Sequence, residues 1–255
     1  MSAPAVTNHA GDHGVARVIA VTGASRGIGA AIAIELATRG CVVGCLSRNG
    51  KGIESSHSAD ARFINIACDV TDEAAVVRAL AELVTRAGRI DGLVNNAGIH
   101  LAGRSHDAPM SHFDEVMAVN ARAVFVGCRA VYPHLIDAGG VIINIGSFFD
   151  KLGVRENVAY CASKAAVGAI TRCLAVEWAR YNIRVLDVAP GYIDTELNAD
   201  AMAGPLRSYL QKRIPGKQLG TAQDVAKLVA MLATEALPFM TGETIYLDGG
   251  QGMAH

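Results

Sequence analysis

The sequence predicts an α/β fold: one domain built on a doubly wound, seven-stranded parallel sheet with helices on both faces. Three observations carry this expectation. Seven short, β-rich apolar runs recur along the 255 residues, and segments with helical periodicity separate most of them. Runs such as Val18-Ile-Ala-Val21 and the stretch 141–145 are apolar on both faces, as parallel strands sandwiched by crossover helices must be. No run of Pro, Ser or charge, no internal repeat and no low-complexity tract marks a domain boundary.

In order, strands are expected at 18–22, 42–46, 62–67, 92–95, 141–145, 183–189 and 244–247, and helices at 27–39, 72–87, 111–136, 159–180 and 221–233. Thr71, Ser111 and Thr221 precede helical patterns as N-caps, with acidic residues close behind at the positive end of the helix dipole. Residues 1–16 read as a disordered tail and 17–255 as a single domain, with a flexible loop at about 194–215. Leu174, Val176 and Trp178 in the last long helix are each read first as core.

The bulk numbers narrow the class. A composition 51% apolar supports a sizeable core, while a net charge of -1 with scattered Lys and Arg excludes a nucleic-acid or anionic-membrane footprint. No stretch approaches the ~20 apolar residues of a membrane span. Six cysteines without a Cys-x-x-Cys pair, most of them inside apolar runs, read as buried thiols in a reducing compartment, so a cytoplasmic protein is expected. The eight histidines form no metal-ligand pattern; His106 and His112 read as loop or cap residues, and no metal is expected.

The first strand runs into Thr22-Gly-Ala-Ser-Arg-Gly-Ile-Gly29 and then a helix. Gly23 suits a tight turn, Gly27 lets backbone approach a pyrophosphate, and Gly29 permits close helix packing, while the helix N-terminus offers free N–H groups to the anion. Farther on, Tyr160 and Lys164 stand four apart, hence on one helix face, after Ser147 at the end of the fifth strand. Reducing a ketone requires a proton donor at oxygen, and a tyrosine with a pKa near ~10 is poorly matched to neutral pH unless a neighbouring cation lowers it.

With its Gly-x-x-x-Gly-x-Gly spacing, the chain resembles the classical short-chain dehydrogenase/reductase family, a Rossmann-type fold, over almost everything after Ala16. Asp69-Val70, Asn95-Asn-Ala-Gly98 and Pro190-Gly191 match further family signatures. The resemblance implies a dinucleotide held by Gly23, Ser25, Arg26, Gly27, Ile28, Gly29, Ser47, Arg48, Asn49, Asp69, Val70, Asn96, Ala97, Gly98, Tyr160, Lys164, Pro190, Gly191, Ile193 and Thr195. It makes Tyr160 the acid/base, Lys164 the group that lowers its pKa and binds the nicotinamide ribose, and Ser147 the holder of the substrate oxygen. Asn120, in Val119-Asn-Ala121, holds a relay water, and Thr195 meets the nicotinamide carboxamide. Family practice also implies a homotetramer, closed through the helix over 111–136, the Tyr-bearing helix and the last strand.

The second strand ends Cys45-Leu-Ser-Arg-Asn49 with no carboxylate to repel a 2′-phosphate. Arg48 and Arg26 can form charge-assisted bonds to such a phosphate and Ser47 a neutral one, so NADP(H) is expected over NAD(H). The pocket walls, Phe148, Phe149, Leu152, Val154 and Tyr192, suit an apolar substrate, whereas Arg104, Lys151, Arg155 and Arg207 suit a carboxylate or a carrier phosphate. The small-molecule substrate is read as a ketone such as a 3-oxoacyl thioester; the alternative is a sugar, polyol or other secondary alcohol oxidised by the same residues. A non-catalytic dinucleotide sensor is the third reading, which an intact Asn120, Ser147, Tyr160 and Lys164 argue against.

Overall fold

The computed structural model describes residues 16–53, 61–195 and 205–253. Seven parallel strands form one sheet: β1 (Val18–Thr22), β2 (Val42–Ser47), β3 (Phe63–Ala67), β4 (Gly92–Asn95), β5 (Gly140–Ile145), β6 (Ile183–Pro190) and β9 (Thr244–Leu247). Their order is β3-β2-β1-β4-β5-β6-β9. A separate pair, β7 (Ile193–Asp194) and β8 (Gly220–Thr221), lies outside it.

Strand alternation divides the core into two layers. Ile19 and Val21 of β1, with Ile143 of β5 and Val188 of β6, pack under α1 (Gly27–Thr38) and the late helix over Ala222–Thr234. Val18 and Ala20 face the other way, with Ile142 and Val185, beneath α2 (Glu73–Ala87), α4 (Ala123–Leu135) and α5 (Val158–Trp178). Helices on both faces make every interior strand apolar on both sides. The order reverses between β1 and β4, so the loops leaving their carboxyl ends flank a crevice where ligands of such sheets sit.

The helix expected over 111–136 is three pieces: α3 (Met110–Met117), one π-turn (Ala118–Arg122) and α4. Of the expected caps, Thr221 forms a complete capping box with Asp224. Thr71 does not cap: Asp72 accepts from the N–H groups of Ala74 and Ala75, and Thr71 instead bonds back to Asp69. Ser111 is inside α3, whose cap position is Pro109. Part of the segment expected as a loop is ordered: α6 (Pro205–Arg213) follows β7, the helix over Ala222–Thr234 being α7, while 196–204 and the tail 1–15 lie outside the described residues. Leu174 and Trp178 are core, but Val176 is 83% exposed, because it stands two positions, about 200° of helix rotation, from each of them and so on the far side of the helix.

Candidate active site

The nucleotide-side crevice is built from strand ends pinned to each other. The Thr22 hydroxyl accepts the Asn96 and Ala97 N–H groups at 2.9 and 3.0 Å, and the Asn96 amide donates to the Thr22 and Gly23 carbonyls at 2.9 and 3.3 Å. Gly23 and Gly27 have left-handed φ of 66° and 57°. A Cβ on Gly29 would collide with the Gly23 carbonyl oxygen, whereas one on Gly27 would meet nothing within 4 Å. The three glycines therefore serve the turn, an open approach and close packing respectively. Arg26, exposed and extended, precedes α1 without a side-chain cap, leaving first-turn N–H groups available to an anion. An open glycine before an uncapped helix N-terminus fits a dinucleotide pyrophosphate.

Beyond β2, Arg48 and Asn49 are exposed, and Asn49 Oδ1 accepts the Lys51 N–H. Ser47 differs from expectation: it is buried and its hydroxyl donates to the Lys51 carbonyl at 2.9 Å, so its proton is committed within the loop. Asp69 Oδ1 accepts from the Thr71 N–H and hydroxyl, and these bonds, with a smaller contribution from the Arg48 charge, hold its carboxyl below the ordinary range. On the other side of the crevice, Gly191 N–H donates to the Leu247 carbonyl, Pro190 ends β6, and Ile193 is buried with Thr195 half-buried beside it.

At the chemical end, Ser147 leaves β5 in extended conformation and its Oγ accepts the Phe149 N–H at 3.3 Å. Tyr160, in the first turn of α5, has a hydrogen bond with Ser147 that favours its phenolate, yet burial is the larger influence and raises its pKa above the ordinary value. The lowering by Lys164 that the sequence leads one to expect is not among these influences. Lys164 Nζ is 5.6 Å from the Tyr160 ring centre and donates to the Ile145 carbonyl at 2.7 Å; burial depresses its own pKa to about 8.

Asn120 is fully buried in the π-turn. Its amide donates to the Ile99 carbonyl at 2.8 Å and to Ser163 Oγ at 3.2 Å, and its Oδ1 accepts the Ile99 N–H at 2.8 Å. The extra residue of the π-turn is what aims this side chain from the helix at the loop after β4. A Cβ on Gly98 would stand 3.3 Å from Asn120 Oδ1 and 3.9 Å from Lys164 Nζ, so the two side chains converge on this glycine.

Aromatic rings frame the mouth. Phe149 lies edge-on to Tyr160 at 5.8 Å, and Phe148 and Phe149 lie 5.2 and 6.0 Å from Tyr192. His100, which sequence reasoning passed over, stands edge-on to Tyr160 at 4.9 Å and hydrogen-bonds Asn157. Three of the four cations proposed for an anionic substrate have partners within the chain. Arg104 lies 4.0 Å from Glu156, Arg207 2.7 Å from Asp194, and Lys151 Nζ 3.5 Å over the Tyr246 ring.

A phenol, a hydroxyl and an ammonium converging beside an anion-binding helix terminus can move one proton at a substrate oxygen next to a bound dinucleotide. Residues 23–251 match the family model described as Enoyl-(Acyl carrier protein) reductase. The chain is 40% identical over 245 residues to 2-(R)-hydroxypropyl-CoM dehydrogenase of Xanthobacter autotrophicus, covering 92% of this chain and 98% of that protein. The chain belongs to the short-chain dehydrogenase/reductase family. It is 34% identical to D-threitol dehydrogenase of Mycolicibacterium smegmatis, covering 92% of each. A short-chain dehydrogenase/reductase from Serratia marcescens superposes with a TM-score of 0.83 at 32% identity, covering 93% of this chain and 98% of that one. The protein is accordingly an oxidoreductase acting on CH–OH and C=O groups, and among the described residues no helix is long and apolar enough to cross a membrane.

Proposed function

We propose that this short-chain dehydrogenase/reductase is an NADP(H)-dependent dehydrogenase of a small secondary alcohol, of the sugar or polyol kind, and reduces the corresponding ketone. The engagement of Arg207 by Asp194 and of Lys151 by the Tyr246 ring carries the choice of an uncharged, hydroxyl-bearing substrate over a phosphate-bearing 3-oxoacyl thioester. The polyol named for the relative from M. smegmatis points the same way. For the cofactor, Arg48 is an exposed guanidinium at the end of β2, a strand that itself ends without a carboxylate to oppose a 2′-phosphate.

Gly23, Ser25, Arg26, Gly27, Ile28 and Gly29 would hold the pyrophosphate, Asp69 and Val70 the adenine, and Asn96 to Gly98, Pro190, Gly191, Ile193 and Thr195 the nicotinamide half. When bound, the dinucleotide takes or supplies the hydride. Tyr160 Oη takes the hydroxyl proton during oxidation and returns it during reduction. Ser147 donates a hydrogen bond to the same substrate oxygen. Lys164 holds a positive charge behind the phenol, which favours the phenolate at the moment the proton leaves. Asn120 orders the loop at Ile99 on which the nicotinamide side rests.

We read residues 17–255 as one catalytic domain in a cytoplasmic homotetramer. The exposed Phe125 of α4 and Val176 of α5, and the half-exposed edge strand β9, support the two faces such an assembly needs. Titrating the protein with NADPH and NADH, following nicotinamide fluorescence, tests the cofactor reading: NADPH should bind tighter, and Arg48→Ala should remove about tenfold or more of that advantage. Equal NADH affinity in the unsubstituted protein would overturn it. A screen of polyols and their ketones against 3-oxoacyl thioesters then decides the substrate class.

A further inference from the structure

Asp187 is a charged side chain for which the proposed reaction has no use. It lies in β6 with no exposed surface, between Asn144 of β5 and Thr244 of β9. Its Oδ2 accepts the Thr244 hydroxyl at 3.1 Å, its Oδ1 makes no full hydrogen bond among the described residues, and the Gly146 N–H beside it is the weakest of the influences favouring its ionised form. Leaving a carboxylate oxygen unpartnered in a core is costly, so the site calls for a compensating charge.

Two glycines locate that charge. A Cβ on Gly146 would lie 2.4 Å from Asp187 Oδ1, and one on Gly168 would lie 3.9 Å from Oδ2. Gly146 joins Ile145, whose carbonyl receives the Lys164 ammonium, to Ser147. Gly168 is one turn beyond Lys164 on α5. The carboxylate is therefore lodged beneath the joint between Ser147 and Lys164, in space that only glycine leaves open. Lys164 in turn is a buried ammonium whose hydrogen bond goes to a neutral carbonyl, and Asp187 is the charged group that favours its protonated form. The other charged or titratable groups facing this carboxylate are Asp150, from the turn after β5, which opposes its ionisation, Tyr246 of β9, and Arg172 of α5 on the solvent side of Gly168.

We propose that Asp187 is the buried counter-ion of Lys164: a positioning residue that never meets substrate but raises the pH at which the lysine gives up its proton. The inference rests on the reading of Lys164 as part of the reaction centre. Burial drives the two groups in opposite senses, Asp187 up to about 6 and Lys164 down to about 8. Between those limits both are ionised and each sustains the other.

The chain has six lysines, so the Lys164 ε-methylene resonance can be followed in protein labelled at lysine and assigned by its loss in Lys164→Met. Asp187→Asn keeps an acceptor for Thr244 and removes the charge. Its Lys164 midpoint should fall by about one pH unit or more, and the affinity for NADPH should begin to fall at correspondingly lower pH. Should Asp187→Asn not fold, the reciprocal measurement decides: in Lys164→Met the Asp187 carboxyl resonance should titrate at higher pH than in the unsubstituted protein. Unchanged midpoints in either variant would overturn the pairing. The reaction-centre reading fails separately, since Lys164→Met would then turn over normally whether or not the two titrations are coupled.

Discussion

A Cβ on Gly29 would stand 2.2 Å from the carbonyl oxygen of Gly23 and 2.4 Å from the Asn96 amide nitrogen. Both neighbours are fixed, the one by backbone and the other by its bonds to the β1 end, so neither can yield cheaply. Gly29→Ala should lower unfolding free energy by about 1–3 kcal/mol and weaken dinucleotide binding with it. Gly27→Ala should behave differently. Its left-handed φ costs about 1 kcal/mol, but a methyl there meets only open space, so thermal stability falls modestly while dinucleotide affinity falls steeply. Paired melts and nucleotide titrations of the two variants test whether turn and approach are separate duties.

Tyr160→Phe keeps the ring that packs on Phe149 and His100 and removes only the hydroxyl. Turnover should fall by on the order of 10²–10⁴, with nucleotide affinity within about twofold of the unsubstituted protein. Retained turnover would remove Tyr160 from the reaction; loss of nucleotide binding would make it a cofactor-site residue alone. Because burial raises this phenol, the part of the ultraviolet titration that is lost in Tyr160→Phe should begin above the ordinary tyrosine range.

The sheet was legible because each interior strand is apolar on both faces and most crossover helices keep one period; apart from the helix broken at Ala118–Arg122 and the unexpected β7, β8 and α6, only ends moved, by a residue or two. Glycines could be assigned duties because turn, approach and packing demand different backbones at 23, 27 and 29. Charged side chains were harder. Arg104 and Arg207 read as free cations because Glu156 and Asp194 come near them only through loop folding. The π-turn at Asn120 has no sequence period of its own, and Asp187, inside the apolar run 183–190, gave no local sign of facing Lys164.

A second buried element escaped notice for the same reason. Within β4 and β5, Asn95 donates to Asn144 at 2.9 Å, and Asn144 donates to the Thr171 hydroxyl of α5 at 2.9 Å, all three residues being buried. The ladder ties the sheet centre to the helix bearing Tyr160 and Lys164. Asn144→Ala strands a donor on Asn95 and removes Thr171's partner, at a cost of about 2–4 kcal/mol in unfolding free energy. Thr171→Val should cost less, and the double variant less than the sum, because both singles break the same bond. Additive losses in chemical denaturation would show that the ladder does not act as a unit.

Thr221 closes α7 with a reciprocal pair of bonds to Asp224, and it does so beside β8, which leads back to the pocket through Ile193. Thr221→Ala should cost about 1 kcal/mol. The bonds hold the Asp224 carboxyl below its ordinary value, so their contribution is present above the unfolded value of 3.8 and is lost as pH falls through the folded one. The deficit of Thr221→Ala should therefore shrink in acid, as urea midpoints at pH 7 and pH 3 would reveal.

Within the buried pair, the carboxylate sets a stability profile of the opposite sign. Asp187 titrates at about 6 in the folded chain against 3.8 unfolded, so its contribution is fully present below 3.8 and is lost as pH rises through about 6. Lys164 titrates at about 8 against 10.5, so its contribution is present above 10.5 and is lost as pH falls through about 8. Both penalties stand in full between roughly pH 6 and 8, where the reaction centre keeps its charges at the expense of the fold. Two pH units on the carboxylate correspond to about 2–3 kcal/mol. Relative to Asp187→Asn, the ligand-free protein should lose about that much stability between pH 4 and pH 6, measured by urea unfolding at fixed ionic strength. Parallel curves for the two proteins across that window would mean that the carboxylate finds solvent, or another partner, in the folded chain.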